Sequence, residues 1–175
     1  SKDSRIELGS YKRGSLQGDS ALVEIYKDFG VRSSFEKSRL ILNKDVECEL
    51  PESVSYDLSK CPDIAQTIAV TCLGLGVNCH LEGLHTLKIK ETDRLVALKT
   101  EIEKLGGEVE ITNETLHLKQ SKGINKNVSI ATYDDHRMAM AFAPLALKVP
   151  IEIEEAEVVS KSYPTFWEDF KKITS

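Results

Sequence analysis

The feature that most narrows what this chain can fold into is an internal repeat. Two segments align without a gap at an offset of 72 residues, pairing Asp63 with Asp135, Ile68 with Met140, Leu73 with Leu145, Val77 with Val149 and Leu81 with Ile153. Lys90 falls one residue from Lys161 on the same alignment, and the helical pattern 19–29, ended by Gly30, matches the pattern after Asp93 at an offset of 74. A period this long exceeds a solenoid unit and suits a supersecondary block used more than once. Each block reads as an amphipathic helix, a polar β-hairpin, a buried helix and a return strand. The hairpins are expected at 31–35 with 39–42 and at 108–111 with 115–118. A counterpart of Asp63 one repeat earlier would precede Ser1. Residues 5–8 therefore read as a strand whose preceding buried helix is absent, and the chain is expected to be a piece of a longer protein, with an exposed edge on that strand.

Two segments predict helices without a polar face. Pro62 to Gly74 places proline early, small and apolar residues through the middle and glycine at the end. Met138 to Leu147 is apolar on every side, with Pro144 where a kink is expected. Such helices must be buried. By contrast, Leu95, Leu98, Ile102 and Leu105 recur along one face, and Gly106-Gly107 stops the pattern.

The charged residues gather where these helices start. Lys90-Glu91-Thr92-Asp93-Arg94 is read as the turn in which a strand becomes a helix, and Asp134-Asp135-His136-Arg137 follows the short strand 128–131. A helix start offers free N–H groups and the positive end of the dipole, so cations there add to an anion site. Glu91 beside Lys90 and Arg94 adds a group for proton transfer. Each junction also has a plainer reading: 90–94 as a solvated capping turn with an ion pair, and Asp63 and Asp135 as helix caps worth about 0.5–2 kcal/mol each. The repeat brings Asp63, Glu91, Asp135, His136, Arg137 and Lys161 to equivalent junctions, hence to one edge of the domain.

Length and charge set the remaining bounds. A chain of 175 residues buries enough surface for one sizeable core, so residues 1–175 are read as a single domain. A net charge of −5 argues against a nucleic-acid or membrane surface while leaving room for a local cationic pocket. Cys48, Cys61, Cys72 and Cys79 show no CxxC spacing and read as reduced structural thiols of a cytoplasmic protein. Strand alternation puts Cys79 and His80 on opposite faces, so no metal is expected from them or from His85.

Lys90-Glu91-Thr92-Asp93-Arg94-Leu95, Asp134-Asp135-His136-Arg137-Met138-Ala139-Met140 and Lys161-Ser162-Tyr163-Pro164 resemble signature segments of the 3-phosphoshikimate 1-carboxyvinyltransferase (EPSP synthase) family. Leu16-Gln17-Gly18-Asp19 and Pro62-Asp63-Ile64-Ala65 resemble further segments of it in the same order. The resemblance implies an α/β fold of repeated β/α blocks, with buried helices and outward-facing mixed sheets, the inside-out α/β barrel of enolpyruvyl transferases. It implies most of the C-terminal domain, without its opening helix and without the N-terminal domain.

The implied reaction moves the enolpyruvyl group of phosphoenolpyruvate to the 5-hydroxyl of shikimate 3-phosphate and releases phosphate, on the route to chorismate and the aromatic amino acids. No cofactor is implied, and the full-length protein is expected to be a monomer. By resemblance, Arg94, Arg137 and Lys161 bind phosphoenolpyruvate, while Asp63, Lys90 and Thr86 face shikimate 3-phosphate. Thr86 stands where the family often has asparagine. Asp63, Glu91 and Lys90 are the implied catalytic groups, with Asp135 and His136 orienting them. Cations beside Glu91 favour its ionised form, whereas an acid must carry a proton, which desolvation or bound substrate would restore. The fragment alone is expected to be inactive. Two alternatives stay open: a carboxyvinyl transferase acting on a nucleotide sugar, and a noncatalytic anion-binding domain.

Overall fold

The alternating segments pair as strands, and they do so in two compact units, 1–52 and 53–175. The computed structural model describes residues 4–9, 18–45, 47–89, 93–120 and 122–174. In the first unit, β1 (Arg5–Gly9), β2 (Val31–Glu36) and β3 (Arg39–Lys44) form an antiparallel sheet in the order β1-β3-β2. The expected hairpin 31–35 with 39–42 is β2 and β3, in register from Glu36↔Arg39 to Val31↔Lys44. The outer edge of β1 meets no strand among the described residues. The helix expected over 19–29 is shorter: a 3-10 turn Gly18–Ala21 leads into α1 (Leu22–Ile25), and turns follow to Gly30.

The repeat is visible in the second unit. Strand β4 (Ser53–Asp57) runs through helix α2 (Ala65–Leu75) to β5 (Asn78–Glu82), and the two strands pair in parallel. Strand β8 (Val128–Ile130) runs through α4 (His136–Phe142) to β9 (Ile151–Ile153), again in parallel. Between these units lie the amphipathic helix α3 (Arg94–Lys104) and the antiparallel hairpin of β6 (Glu108–Ile111) and β7 (Leu116–Lys119). The larger sheet has the order β4-β5-β7-β6. Its strands alternate, with Cys79 and Leu81, Leu116 and Leu118 buried and Glu82, Glu108 and Glu110 exposed. Cys79 and His80 thus occupy opposite faces, as a pleated strand requires. This is a mixed α/β fold, and among the described residues the sheets are open, with no closed barrel.

The two apolar helices are core, with local differences from the sequence reading. Helix α2 runs past Gly74 to Leu75, and Gly76 at φ 72° supplies the left-handed cap. Gly74 serves packing instead: a Cβ there would stand 3.0 Å from Leu145 Cδ2, so its bareness permits the close approach of α2 to residues 143–147. Helix α4 ends at Phe142 and tightens into a 3-10 turn Ala143–Leu147, because Pro144 has no N–H to continue the α-helical ladder. Burial is lost with it: Leu147 is 62% exposed, against the expectation of burial on every side. A 3-10 turn, His85–Ile89, rather than a strand precedes the 90–94 run. None of the four cysteines is in a disulfide, and Cys72 and Cys79 meet in the core, where their contact and burial push the Cys72 thiol well above its usual range. No helix among the described residues is long and apolar enough to cross a membrane.

The last helix, α5 (Phe166–Thr174), lays Phe166 and Trp167 on Ala139, Val158 and Val159. Its first turns are tied by Asp169, which accepts from Lys172 Nζ at 2.7 Å, Tyr163 Oη at 2.9 Å and Thr165 Oγ1 at 3.0 Å. Those donors, Lys172 first, hold the Asp169 carboxyl down at about 2, below its ordinary 3.8. A depressed carboxylate contributes stability above its unfolded value and loses it as pH falls through the folded one. Seating of α5 should therefore weaken between about pH 4 and pH 2. Emission of Trp167, the single tryptophan, should report a transition in that window that Asp169→Asn lacks. The same transition in both proteins would refute the assignment.

Candidate anion site

Three junctions of the second unit bring their charged residues together. Pro62 starts a 3-10 turn, Pro62–Ile64, ahead of α2 and thereby presents Asp63. Arg94 is the first residue of α3, whose cap is Asp93, accepting from Leu95 N and Val96 N at 3.1 Å each. Asp135 caps α4 by accepting from Arg137 N at 2.9 Å.

Arg94 is the centre of the cluster. It is only 4% exposed, and its Nε donates to Asp135 Oδ2 at 2.6 Å while Nη1 donates to Asp63 Oδ1 at 2.9 Å. Asp135 is 2% exposed and also receives Gln66 Nε2 at 3.3 Å. Asp63 extends to the second arginine: Arg137 Nη2 lies 3.4 Å from its Oδ2, and Nη1 donates to its backbone carbonyl at 3.3 Å. Lys161 closes the group from the 3-10 turn Ala156–Lys161, with Nζ 2.6 Å from Asp134 Oδ1.

Caps and ion pairs occur side by side in this arrangement. Asp63 lies inside the first turn, where Cys61 holds the cap position, and bridges two arginines. Asp135 does cap its helix and holds Arg94 as well. His136 is half-buried at the start of α4, and no hydrogen bond joins its ring to another described residue. Thr86 sits in the turn His85–Ile89, which packs against the turn carrying Asp63, and its Oγ1 is buried without a partner among the described residues. Lys90 and Glu91 lie outside the described residues, as do Leu16 and Gln17.

Among the described residues, the carboxylates of Asp63, Asp134 and Asp135 meet Arg94, Arg137 and Lys161. An anion that binds these cations competes with the carboxylates already on them. Of the two carboxylates that meet Arg94, the Asp135 side chain is 1% exposed and the Asp63 side chain 34%, so Asp63 is the more accessible. Sequence reasoning did not single out Gln66 or Glu101. Glu101 carried a legible signal, a charge seven residues after Arg94, two turns along the same face of α3.

A family model described as EPSP synthase (3-phosphoshikimate 1-carboxyvinyltransferase) matches residues 2–170. A 3-phosphoshikimate 1-carboxyvinyltransferase of Bacteroides fragilis is 44% identical over 170 residues, covering 95% of this chain and 41% of the relative. One of Syntrophobacter fumaroxidans is 37% identical, covering 92% of this chain and 38% of the relative. The chain thus spans about two fifths of the curated relatives it matches. In fold, it resembles an EPSP synthase of Acinetobacter baumannii with a TM-score of 0.78 at 20% identity, over 98% of this chain and 42% of that one. The enolpyruvyl transferase NikO of Streptomyces tendae superposes with a TM-score of 0.66 at 14% identity, over 88% of this chain and 35% of that one.

Proposed function

Because the chain belongs to the EPSP synthase family, we propose that residues 1–175 are most of the C-terminal domain of a cytoplasmic, monomeric enzyme that transfers the enolpyruvyl group of phosphoenolpyruvate to the 5-hydroxyl of shikimate 3-phosphate. The observation that carries the reading is the convergence of Arg94 and Arg137 on the exchangeable carboxylate of Asp63. Phosphoenolpyruvate carries a carboxylate and a phosphate, both matched by forked guanidinium groups. Its anions take over the places of Asp63 on the arginines, with Lys161 released from Asp134 to add a point charge.

Displacement leaves Asp63 free to accept the proton of the attacking 5-hydroxyl as oxygen bonds to C2 of phosphoenolpyruvate. Glu91 protonates the methylene carbon, and Lys90 bears on substrate and reacting atoms. Loss of a proton and of phosphate from the tetrahedral intermediate then restores the double bond. Thr86, with Asp63 and Lys90, faces shikimate 3-phosphate, and Asp135 and His136 keep the reacting groups in place. A second domain of the same protein supplies the remaining contacts, and the repeated blocks, helices inward and sheets outward, form the inside-out barrel of this family.

The test is phosphate release from phosphoenolpyruvate in the presence of shikimate 3-phosphate, assayed for the present chain and for one extended upstream to the length of its relatives. Release by the extended protein alone is the expected result. An extended, folded protein that releases no phosphate would overturn the reading.

A further inference from the structure

Residues 131–135 place two carboxylates in the cluster, and they do so in a conformation that needs support. Tyr133 and Asp134 are consecutive non-glycine residues at φ 55° and 57°. Left-handed backbone costs an L-residue about 1–2 kcal/mol, and it persists only where the surroundings over-determine it. Asp135 N donates to Thr132 O at 2.9 Å, which closes a turn with both central residues left-handed.

One carboxylate supplies much of the support. Glu101 on α3 is fully buried, 0% exposed, where a glutamate on a helix surface would ordinarily sit in water. It accepts Ala131 N at 3.2 Å and Tyr133 Oη at 2.8 Å, and Lys104 Nζ stands 2.5 Å from it. These donors offset the cost of burying the charge. Burial, and then the bond to Glu101, push the Tyr133 hydroxyl up to about 12, so it remains a donor at neutral pH. Helix α3 thus grips the segment twice, through Arg94 on Asp135 and, two turns on, through Glu101 on Ala131 and Tyr133.

We propose that Glu101 is a positioning residue of the anion site: by tethering Ala131 and Tyr133, it holds the left-handed turn that sets Asp135 on Arg94 and Asp134 on Lys161. The proposal rests on the function proposed above only in naming phosphoenolpyruvate as the anion.

The experiment follows the Arg94 Nε–H signal of the chain by NMR in wild type, Glu101→Gln and Tyr133→Phe, with urea unfolding to establish that each variant is folded. Both substitutions should shift that signal and speed its exchange with solvent at least about tenfold, and Glu101→Gln should weaken phosphoenolpyruvate binding about tenfold. A variant that loses stability while its Arg94 signal stays as in wild type would assign Glu101 a merely structural part and overturn the proposal. Equal phosphoenolpyruvate affinity in wild type and Glu101→Gln would overturn it too. If the signal moves as expected but the wild type, in the extended protein, binds no phosphoenolpyruvate, the tether stands and the enolpyruvyl reading falls.

Discussion

Asp135→Ala is expected to destabilise the 53–175 unit by about 3–5 kcal/mol, because it leaves the Arg94 guanidinium buried without its 2.6 Å partner. The loss comes from the stranded charge more than from the missing bond. Arg94 is 4% exposed and cannot turn to water without opening the start of α3, and Gln66 loses its acceptor in the same step. Asp63 remains on Nη1, yet its side chain is 34% exposed and its pull is shared with Arg137 and screened by solvent. Urea denaturation measures the effect directly. Replacing both partners, Arg94→Met with Asp135→Leu, should recover part of the stability, since no fully buried charge is then left behind and Asp63, 34% exposed, keeps its contact with Arg137. A loss below about 1 kcal/mol for Asp135→Ala would mean that the pair is solvated and the buried cluster misread.

Arg137→Ala is expected to do the opposite, sparing stability and removing ligand binding. Its guanidinium is about a third exposed, and its 3.4 Å approach to Asp63 is an ion pair of modest worth. Toward a bound carboxylate or phosphate, each charge-assisted hydrogen bond contributes about 1.5–3 kcal/mol, so phosphoenolpyruvate affinity in the extended protein should fall about tenfold to 150-fold. Arg137→Lys should recover only part of it, because a point charge lacks the planar fork. Calorimetric titration reads both variants. Wild-type affinity in Arg137→Ala would remove this residue from the clamp, and an unfolded variant would show that its contact with Asp63 is structural.

The difference between these arginines marks how far the sequence could be read. The 72-residue offset paired Asp63 with Asp135 and anticipated two strand–helix–strand units, because apolar period and glycine or proline punctuation are local properties. The hairpins followed from alternation in the same way. The ends of the buried helices did not, since Gly74 and Gly76 read alike until packing shows one meeting Leu145 and the other adopting φ 72°. Leu147 belonged to an apolar run, yet its burial depended on whether the helix survived Pro144.

Chemistry at the cluster divides similarly. Residue types and spacing singled out Asp63, Arg94, Asp135, Arg137 and Lys161 as charges at helix starts. Which carboxylate is buried, which is partly exposed, and that Glu101 lies in the core beneath residues 131–133 were settled only by tertiary contacts. What the sequence determined by itself was the order of blocks and the kinds of group at their junctions, because these follow from neighbours in the chain. Only the folded structure decided each group's partner and solvation, because a charge's energy depends on who stands within a few ångströms, and the ion pairs of this cluster join residues 27 to 74 positions apart.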